Sequence, residues 1–129
     1  MTSKFNPKVV AVYGTLRFGG AANGLLRDAE YLGQDTILGR MYNLGSYPGL
    51  HLCKEAEAKK IVVDLYEVKD EDTLADLDNY EGYNKFDEDR SLYLRKETQA
   101  EGGLTVSVYE YNANCINMKE VETGDWFDR

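Results

Sequence analysis

The chain has 129 residues, 43% of them hydrophobic and 29% charged, and its formal net charge is −8. This composition predicts one soluble globular domain, residues 1–129, whose core needs no disulfide or metal. The acidic charge argues against binding to nucleic acids or anionic membranes, because both require a basic surface. No apolar run approaches the roughly 20 residues of a membrane span. Residues 1–8 lack the apolar core of a signal peptide, so a cytoplasmic location is expected.

The first predicted element is a buried strand over residues 9–13, which ends abruptly at Tyr13 and Gly14. A glycine at this point allows a tight turn and close approach by another group. The segment therefore suits a binding loop as well as an ordinary strand-to-helix turn. It lacks the glycine spacing of both standard phosphate-binding loops, which disfavours nucleotide binding. A short helix over residues 21–31 and a strand over residues 36–42 are predicted to follow.

The remaining elements do not alternate regularly between helix and strand. Residues 44–50 are rich in turn formers, residues 53–60 are charged enough for a solvated loop, and residues 61–68 predict a central strand. A helix over residues 70–80, capped by Asp70 and ended by Gly82, precedes a hairpin of residues 92–98 and 104–111. Trp126 and Phe127 are expected to fold back onto the body. This order predicts an α+β fold, a small mixed or antiparallel β-barrel with flanking short helices.

The predicted second helix places two carboxylates on its apolar face. At about 100° per residue, Asp78 and Glu81 share a sector with Leu74 and Leu77. A carboxylate that is buried without partners has a raised pKa and can act as a base near neutral pH. Alternatively, Glu81 reaches water at the helix end and Asp78 pairs with a lysine or arginine. The angular positions on the helix alone do not distinguish these two interpretations.

Other chemistry-bearing residues give weaker signals. Cys53 and Cys115 are predicted to be free thiols, and His51 is the sole histidine, which excludes a histidine-rich metal site. His51 and Cys53 would lie about 6–7 Å apart on one strand, too far for direct proton transfer. The acidic run at residues 87–89 lacks the ligand spacing of a calcium loop and is expected to be solvated.

Several segments together resemble a known family. In the order of the chain they are Val12-Tyr13-Gly14-Thr15-Leu16-Arg17 with Gly20 and Asn23, Gly39-Arg40-Met41-Tyr42 with Tyr47-Pro48, Asp64-Leu65-Tyr66-Glu67-Val68, Leu74 to Tyr83, Tyr93 to Arg95, and Val108-Tyr109. They resemble the gamma-glutamylcyclotransferase-like family, in particular its small single-domain branch, which includes gamma-glutamylamine cyclotransferases. The chain departs from the family pattern at Val63, where relatives often have glycine, and at Asp64, where they usually have glutamate.

The resemblance implies a small barrel with a cavity at its end and a small-molecule gamma-glutamyl substrate. Glu81 would be the catalytic acid/base, and the loop from Tyr13 to Leu16 would hold the glutamyl group. The expected substrate-binding residues are therefore Tyr13, Gly14, Thr15 and Leu16 of this loop, together with Arg17, whose cation beside the glycines suits an anionic ligand, and with Tyr47, Tyr83 and Tyr109, which stand near the loops of the site. In this reaction the substrate's own α-amine attacks its γ-carbonyl and forms 5-oxoproline, so no cofactor and no metal are expected.

Two other functions are compatible with the same sequence. One is a non-catalytic domain that binds a small ligand on the same scaffold. The other is a domain that acts through protein contacts at its acidic surface. A cavity that contains Glu81 beside the Gly14 amide would favour an enzyme or a ligand-binding domain, whereas a solvated Glu81 would favour protein contacts.

Overall fold

The computed structural model describes residues 5–129, which form a curled seven-stranded sheet, one α-helix and three 3-10 turns. The strands are β1 Lys8–Val12, β2 Glu30–Asn43, β3 Pro48–Leu52, β4 Lys59–Val68, β5 Tyr93–Gln99, β6 Thr105–Tyr111 and β7 Lys119–Glu120. Helix α1 is Glu71–Glu81, and the turns are Asn23–Leu26, Glu88–Arg90 and Trp126–Asp128. This half-barrel with short flanking helical segments confirms the predicted α+β fold class.

The sheet is mixed, and its two edges approach one another. The strand order is β3-β2-β4-β1-β6-β5, with β7 paired to β2. Only β1 and β6 pair in parallel among these strands of the described chain. The Tyr93 hydroxyl of β5 donates a 2.6 Å hydrogen bond to the Pro48 carbonyl of β3. The Leu52 amide of β3 also donates to the Glu110 carboxylate of β6 at 2.8 Å. These bonds hold the sheet in its curl.

Strand alternation divides the core into two clusters. Successive side chains of a strand point to opposite faces, so Ala11 of β1 packs in one cluster, whereas Val10 and Val12 pack in the other. The first cluster also contains Ile61 and Val63 of β4. The second cluster contains the apolar face of α1, represented by Leu74 and Leu77. As a result, α1 is fixed against the sheet beside the end of β1.

The prediction of a helix over residues 21–31 is wrong. The structure has only the 3-10 turn Asn23–Leu26 there, and β2 already begins at Glu30. Within that turn only Leu26 is buried, so a longer helix would gain little from packing, and Gly24 further disfavours it. Strand β2 is twice the predicted length because its first part pairs with β4 and its second part with β3.

Other predicted elements are confirmed. Asp70 caps α1 by accepting a 2.9 Å hydrogen bond from the Thr73 amide, and Gly82 ends the helix at φ 68°. That conformation is unfavourable for residues with a Cβ atom. The β5–β6 hairpin is present, and Trp126 is buried in the first core cluster. No helix in residues 5–129 is long and apolar enough to cross a membrane.

Candidate active site

A cavity of about 380 Å³ opens where β1, α1 and the start of β5 meet. Small-ligand pockets have volumes of roughly 300–1,000 Å³, so this cavity suits a small molecule. Its lining is formed by Ala11, Val12, Tyr13, Gly14, Thr15, Leu16, Ser46, Tyr47, Pro48, Tyr80, Glu81, Leu92, Tyr93 and Tyr109. Glu81 is the one formally charged side chain in this set, which otherwise consists of apolar residues, tyrosines and two small hydroxyl residues.

One wall is the loop that follows β1. The Arg17 amide donates to the Gly14 carbonyl at 3.0 Å and closes a turn. The Ala22 amide donates to the Thr15 carbonyl at 2.9 Å, and the Asn23 side chain donates to the Leu16 carbonyl at 2.9 Å. The carbonyl groups of three successive loop residues therefore all accept hydrogen bonds from within the protein. Within residues 5–129, the amides of Gly14, Thr15 and Leu16 donate no hydrogen bond to another protein group.

Gly14 is required by the close packing of this loop against the opposite wall. A Cβ atom at Gly14 would lie 2.8 Å from Pro48 Cγ and 2.9 Å from Pro48 Cδ. Both residues line the cavity, so a larger side chain here would displace the loop or the wall. The glycine therefore sets the distance between the loop and β3.

Glu81 is positioned by the end of α1. It is the last helical residue, and the Gly82 carbonyl immediately after it accepts a 3.0 Å hydrogen bond from the Leu92 amide. Among the described residues, the Glu81 carboxylate has no hydrogen-bond or ion-pair partner. Burial raises its pKa from 4.5 to about 7, because removal from water disfavours the charged form. A carboxyl with this pKa exists in both protonation states near neutral pH.

Asp78, one helical turn earlier, has the opposite environment. Its two oxygens accept hydrogen bonds of 2.7 and 2.6 Å from Arg95, and one of them also accepts 2.6 Å from the Tyr109 hydroxyl. Of the alternatives that the sequence allowed, Asp78 therefore adopts the one in which it pairs with a lysine or arginine. Of the two carboxylates on this helix face, Asp78 is therefore paired, and Glu81 has no partner among the described residues.

The tyrosines around Glu81 are held as neutral hydroxyl groups. Burial is the main cause that raises the pKa of Tyr13, Tyr93 and Tyr109 above the usual range, and the charge of Glu81 adds to it in all three. Tyr13 donates a 2.6 Å hydrogen bond to the Tyr109 carbonyl. Since these hydroxyl groups are committed to protein acceptors, they shape the cavity more than they supply protons.

The structure brings seven of the predicted site residues together at the cavity. They are Tyr13, Gly14, Thr15, Leu16, Tyr47, Glu81 and Tyr109. Arg17 and Tyr83 are not in the lining. The Arg17 side chain is buried between Asp64 and Asp125, and the Tyr83 ring lies under the Arg95 guanidinium at 5.3 Å. The predicted contact of these two residues with substrate has no support from their positions.

Sequence reasoning did not select Pro48, Tyr80, Leu92 or Tyr93 as cavity residues, although all four line it. The signal for Tyr80 in the sequence is that it directly precedes Glu81. In the structure its hydroxyl lies 2.9 Å from Thr15 Oγ1. Tyr93 and Leu92 reach the cavity through the pairing of β5 with β6 and the bond from Leu92 to Gly82. Such long-range contacts leave no local pattern.

The other candidate groups lie elsewhere. Both cysteines are free, as predicted. The ring of His51 is hydrogen-bonded to the Ala113 carbonyl at 2.7 Å, and the nearest thiol to it is Cys115 at 3.8 Å rather than Cys53. Residues 87–89 lie at a 3-10 turn. In residues 5–129, no three His, Cys, Asp or Glu side chains are grouped as metal ligands would be.

Comparison with known proteins identifies the family. The family model "Gamma-glutamyl cyclotransferase, AIG2-like" matches residues 10–128. A Vibrio cholerae serotype O1 protein named "Putative gamma-glutamylcyclotransferase" is 32% identical over 123 residues, covering 94% of this chain and 96% of that protein.

Solved structures agree in fold. An uncharacterised Pyrococcus horikoshii protein superimposes with a TM-score of 0.71 at 26% identity, covering 92% of this chain and 89% of its own. An AIG2-like protein from Mus musculus gives a TM-score of 0.67 at 23% identity over 85% and 81% of the two chains, a likeness of fold alone. The chain belongs to the AIG2-like gamma-glutamyl cyclotransferase family.

Proposed function

We propose that this protein is a cyclotransferase that converts a gamma-glutamyl amine or gamma-glutamyl peptide into 5-oxoproline and a free amine. The observation that carries the proposal is the position of Glu81, an unpaired carboxyl in a small tyrosine-lined cavity with a pKa raised to about 7. Membership of the family supports the reaction class.

Glu81 suits both proton transfers that the reaction requires. As a carboxylate it accepts a proton from the substrate's α-ammonium group. The freed amine attacks the γ-carbonyl carbon, and the new C–N bond closes a five-membered ring as a tetrahedral intermediate. Glu81 then gives its proton to the leaving nitrogen, the bond from the carbon to that nitrogen breaks, and the carbonyl re-forms as the lactam. The second proton of the ring nitrogen passes through the regenerated Glu81 carboxylate to the departing amine. A pKa close to the working pH is the efficient choice for a group that acts as base and then as acid.

The nucleophile belongs to the substrate, so the protein's main task is to hold the chain in a folded conformation. A well-oriented intramolecular attack corresponds to an effective molarity of roughly 10⁵–10⁸ M. The walls formed by Tyr13, Tyr93 and Pro48 restrict the shape that a bound molecule can adopt. In this proposal these walls favour the bent conformation of the bound chain over the extended one.

Gly14, Thr15 and Leu16 line the same cavity as Glu81, and their backbone amides are free of protein acceptors in the described chain. Free amides of this kind bind a substrate carboxylate or stabilise a developing oxyanion, and one donor to an oxyanion contributes roughly 10²–10³ in rate. In this proposal the loop is the fixed part of the site, and Glu81 is the part that exchanges protons.

Product identity tests the proposal. The protein is incubated with gamma-glutamyl alkylamines, gamma-glutamyl-lysine and gamma-glutamyl dipeptides, and 5-oxoproline and glutamate are quantified by mass spectrometry. We expect 5-oxoproline with at least one substrate class and no product from the matching N-acetylated compound, because acetylation removes the nucleophile. Thermal stabilisation by these compounds without 5-oxoproline would contradict catalysis and favour the non-catalytic ligand-binding alternative. Glutamate as the direct product would contradict the intramolecular mechanism.

A further inference from the structure

Arg17 is buried outside the cavity in a three-residue ion-pair cluster. Its Nε atom donates to Asp64 Oδ2 at 3.2 Å, and its Nη1 atom donates to Asp125 Oδ1 at 2.6 Å. The side chains of Arg17 and Asp64 are only 4% and 3% exposed. A buried guanidinium is stable when carboxylates surround it and satisfy its donors. Here the two carboxylates come from β4 and from the C-terminal turn.

The backbone of Arg17 is part of the cavity loop itself. Its amide closes the turn onto the Gly14 carbonyl at 3.0 Å, and its carbonyl accepts from the Gly20 amide at 2.7 Å. The next amide, that of Phe18, donates to Asp64 at 2.9 Å. The side-chain cluster and the loop turn are therefore linked, because the Asp64 carboxylate accepts from both the Arg17 guanidinium and the Phe18 amide.

The C-terminal turn is itself firmly attached to the sheet. Asp125 caps it by accepting a 2.9 Å hydrogen bond from the Phe127 amide. The Phe127 ring lies 4.4 Å from the Arg17 guanidinium carbon, and Trp126 is buried in the core. The Gly124 carbonyl accepts from the Val62 amide of β4 at 2.8 Å. This turn therefore presents a fixed carboxylate to Arg17.

We propose that Arg17 is a positioning residue, which uses Asp64 and the C-terminal Asp125 to hold the Gly14–Leu16 amides at the cavity. This proposal depends on the proposed function in one respect, namely that these amides contact the substrate. It replaces the expectation that Arg17 contacts substrate, because the guanidinium is directed to two carboxylates and is absent from the lining. It also makes the segment around Asp125, more than 100 residues away in sequence, a supporting part of the site.

Asp125 is the group at which to test the proposal. Its side chain is 28% exposed, and Asp125→Ala leaves Arg17 paired with the buried Asp64, whereas Arg17→Ala would leave the buried charge of Asp64 without its cation. Asp125→Asn keeps an oxygen that can accept from Arg17 and is the conservative variant. Asp128→Ala is the matched control, because Asp128 is an exposed aspartate in the same turn whose side chain forms no ion pair in the described chain.

The first readout is amide hydrogen exchange in the full-length protein. We expect Asp125→Ala to accelerate exchange in the segment that contains residues 13–20 by roughly 5- to 30-fold, the factor that corresponds to 1–2 kcal/mol of lost local stability. Exchange in the β5–β6 hairpin should stay unchanged. Asp125→Asn should restore most of the protection, and Asp128→Ala should match the wild type. Unchanged exchange in residues 13–20 of Asp125→Ala would overturn the proposal.

The second readout is kinetic and separates positioning from a purely structural role. Well below the melting temperature, kcat/KM for a gamma-glutamyl substrate should fall by roughly 5- to 30-fold in Asp125→Ala. The pKa of the acid limb of its pH profile should not move, because Glu81 keeps its surroundings. Faster exchange with wild-type kcat/KM would overturn the positioning role. If the wild type itself forms no 5-oxoproline, the proposed function fails, and the exchange experiment alone decides whether the cluster holds the loop.

Discussion

The unpaired carboxyl of Glu81 predicts a pH-dependent gain in stability when it is replaced. In the unfolded chain the pKa is 4.5, and in the folded protein it is about 7. Because the folded state holds this proton more tightly, the stabilisation is fully present below pH 4.5 and is lost as the pH rises through about 7. At alkaline pH the folded protein must hold an ionised, half-buried carboxylate without a partner. Glu81→Gln has a similar shape and no such charge.

The magnitude follows from the two pKa values. A change of one pKa unit corresponds to 1.36 kcal/mol, so full ionisation of Glu81 costs the folded state about 3 kcal/mol. Between about pH 5.5 and about pH 8.5, the contribution of Glu81 to the free energy of unfolding falls by about 2 kcal/mol. This range avoids the sequence pI of 4.6, where the protein is least soluble. For a chain of this length, about 2 kcal/mol shifts Tm by roughly 5–10 °C.

The assay is urea or thermal unfolding of the wild type and Glu81→Gln at a series of pH values. We expect the difference in free energy of unfolding, variant minus wild type, to rise by about 2 kcal/mol across this pH range. Glu71→Gln is the matched control, since Glu71 lies exposed in the first turn of the same helix and its replacement should give a nearly constant difference. A difference for Glu81→Gln that is independent of pH would refute the reasoning.

Two further predictions concern activity. The pH profile of kcat/KM should fall on the acid side with a pKa of about 7, because protonated Glu81 cannot accept the proton of the α-ammonium group, and a limb near 4.5 would contradict this. Gly14→Ala should lower kcat/KM by roughly 10- to 100-fold, because the new Cβ would displace the loop from Pro48 and small displacements of positioning groups are costly. Gly24→Ala, which has open space at its Cβ, should retain wild-type kcat/KM, and an equal loss in both variants would contradict the steric argument.

The parts of this molecule that were predictable from the sequence are governed by local patterns. The capped helix over residues 70–80 and its apolar face follow from periodicity, and they place Glu81 towards the sheet. The strand that stops just before Tyr13 and Gly14 follows from an apolar run ended by glycine. Both features are read from neighbours in sequence, and their meeting at one cavity was implied only by the resemblance to the family.

The parts that were not predictable depend on contacts between distant residues. Arg17 next to a glycine-bearing loop was expected to contact substrate, and nothing local shows that its guanidinium instead pairs with Asp64 and Asp125. The segment 21–31 has helical spacing, yet the pairing of β2 with β4 takes its end into the sheet. Tyr83 follows the helix closely in sequence, but the left-handed turn at Gly82 directs the chain away from the cavity.

The central claim is that Glu81 moves the protons that make 5-oxoproline. The most direct test is 5-oxoproline release by Glu81→Gln, compared with the wild type and with Glu71→Gln, on the substrate that the wild type turns over. We predict that Glu81→Gln is folded and binds the substrate, but that its release of 5-oxoproline falls by roughly 10²–10⁴-fold, the usual contribution of general acid–base catalysis. Glu71→Gln should be unaffected. A folded Glu81→Gln protein that releases 5-oxoproline at the wild-type rate would contradict the account.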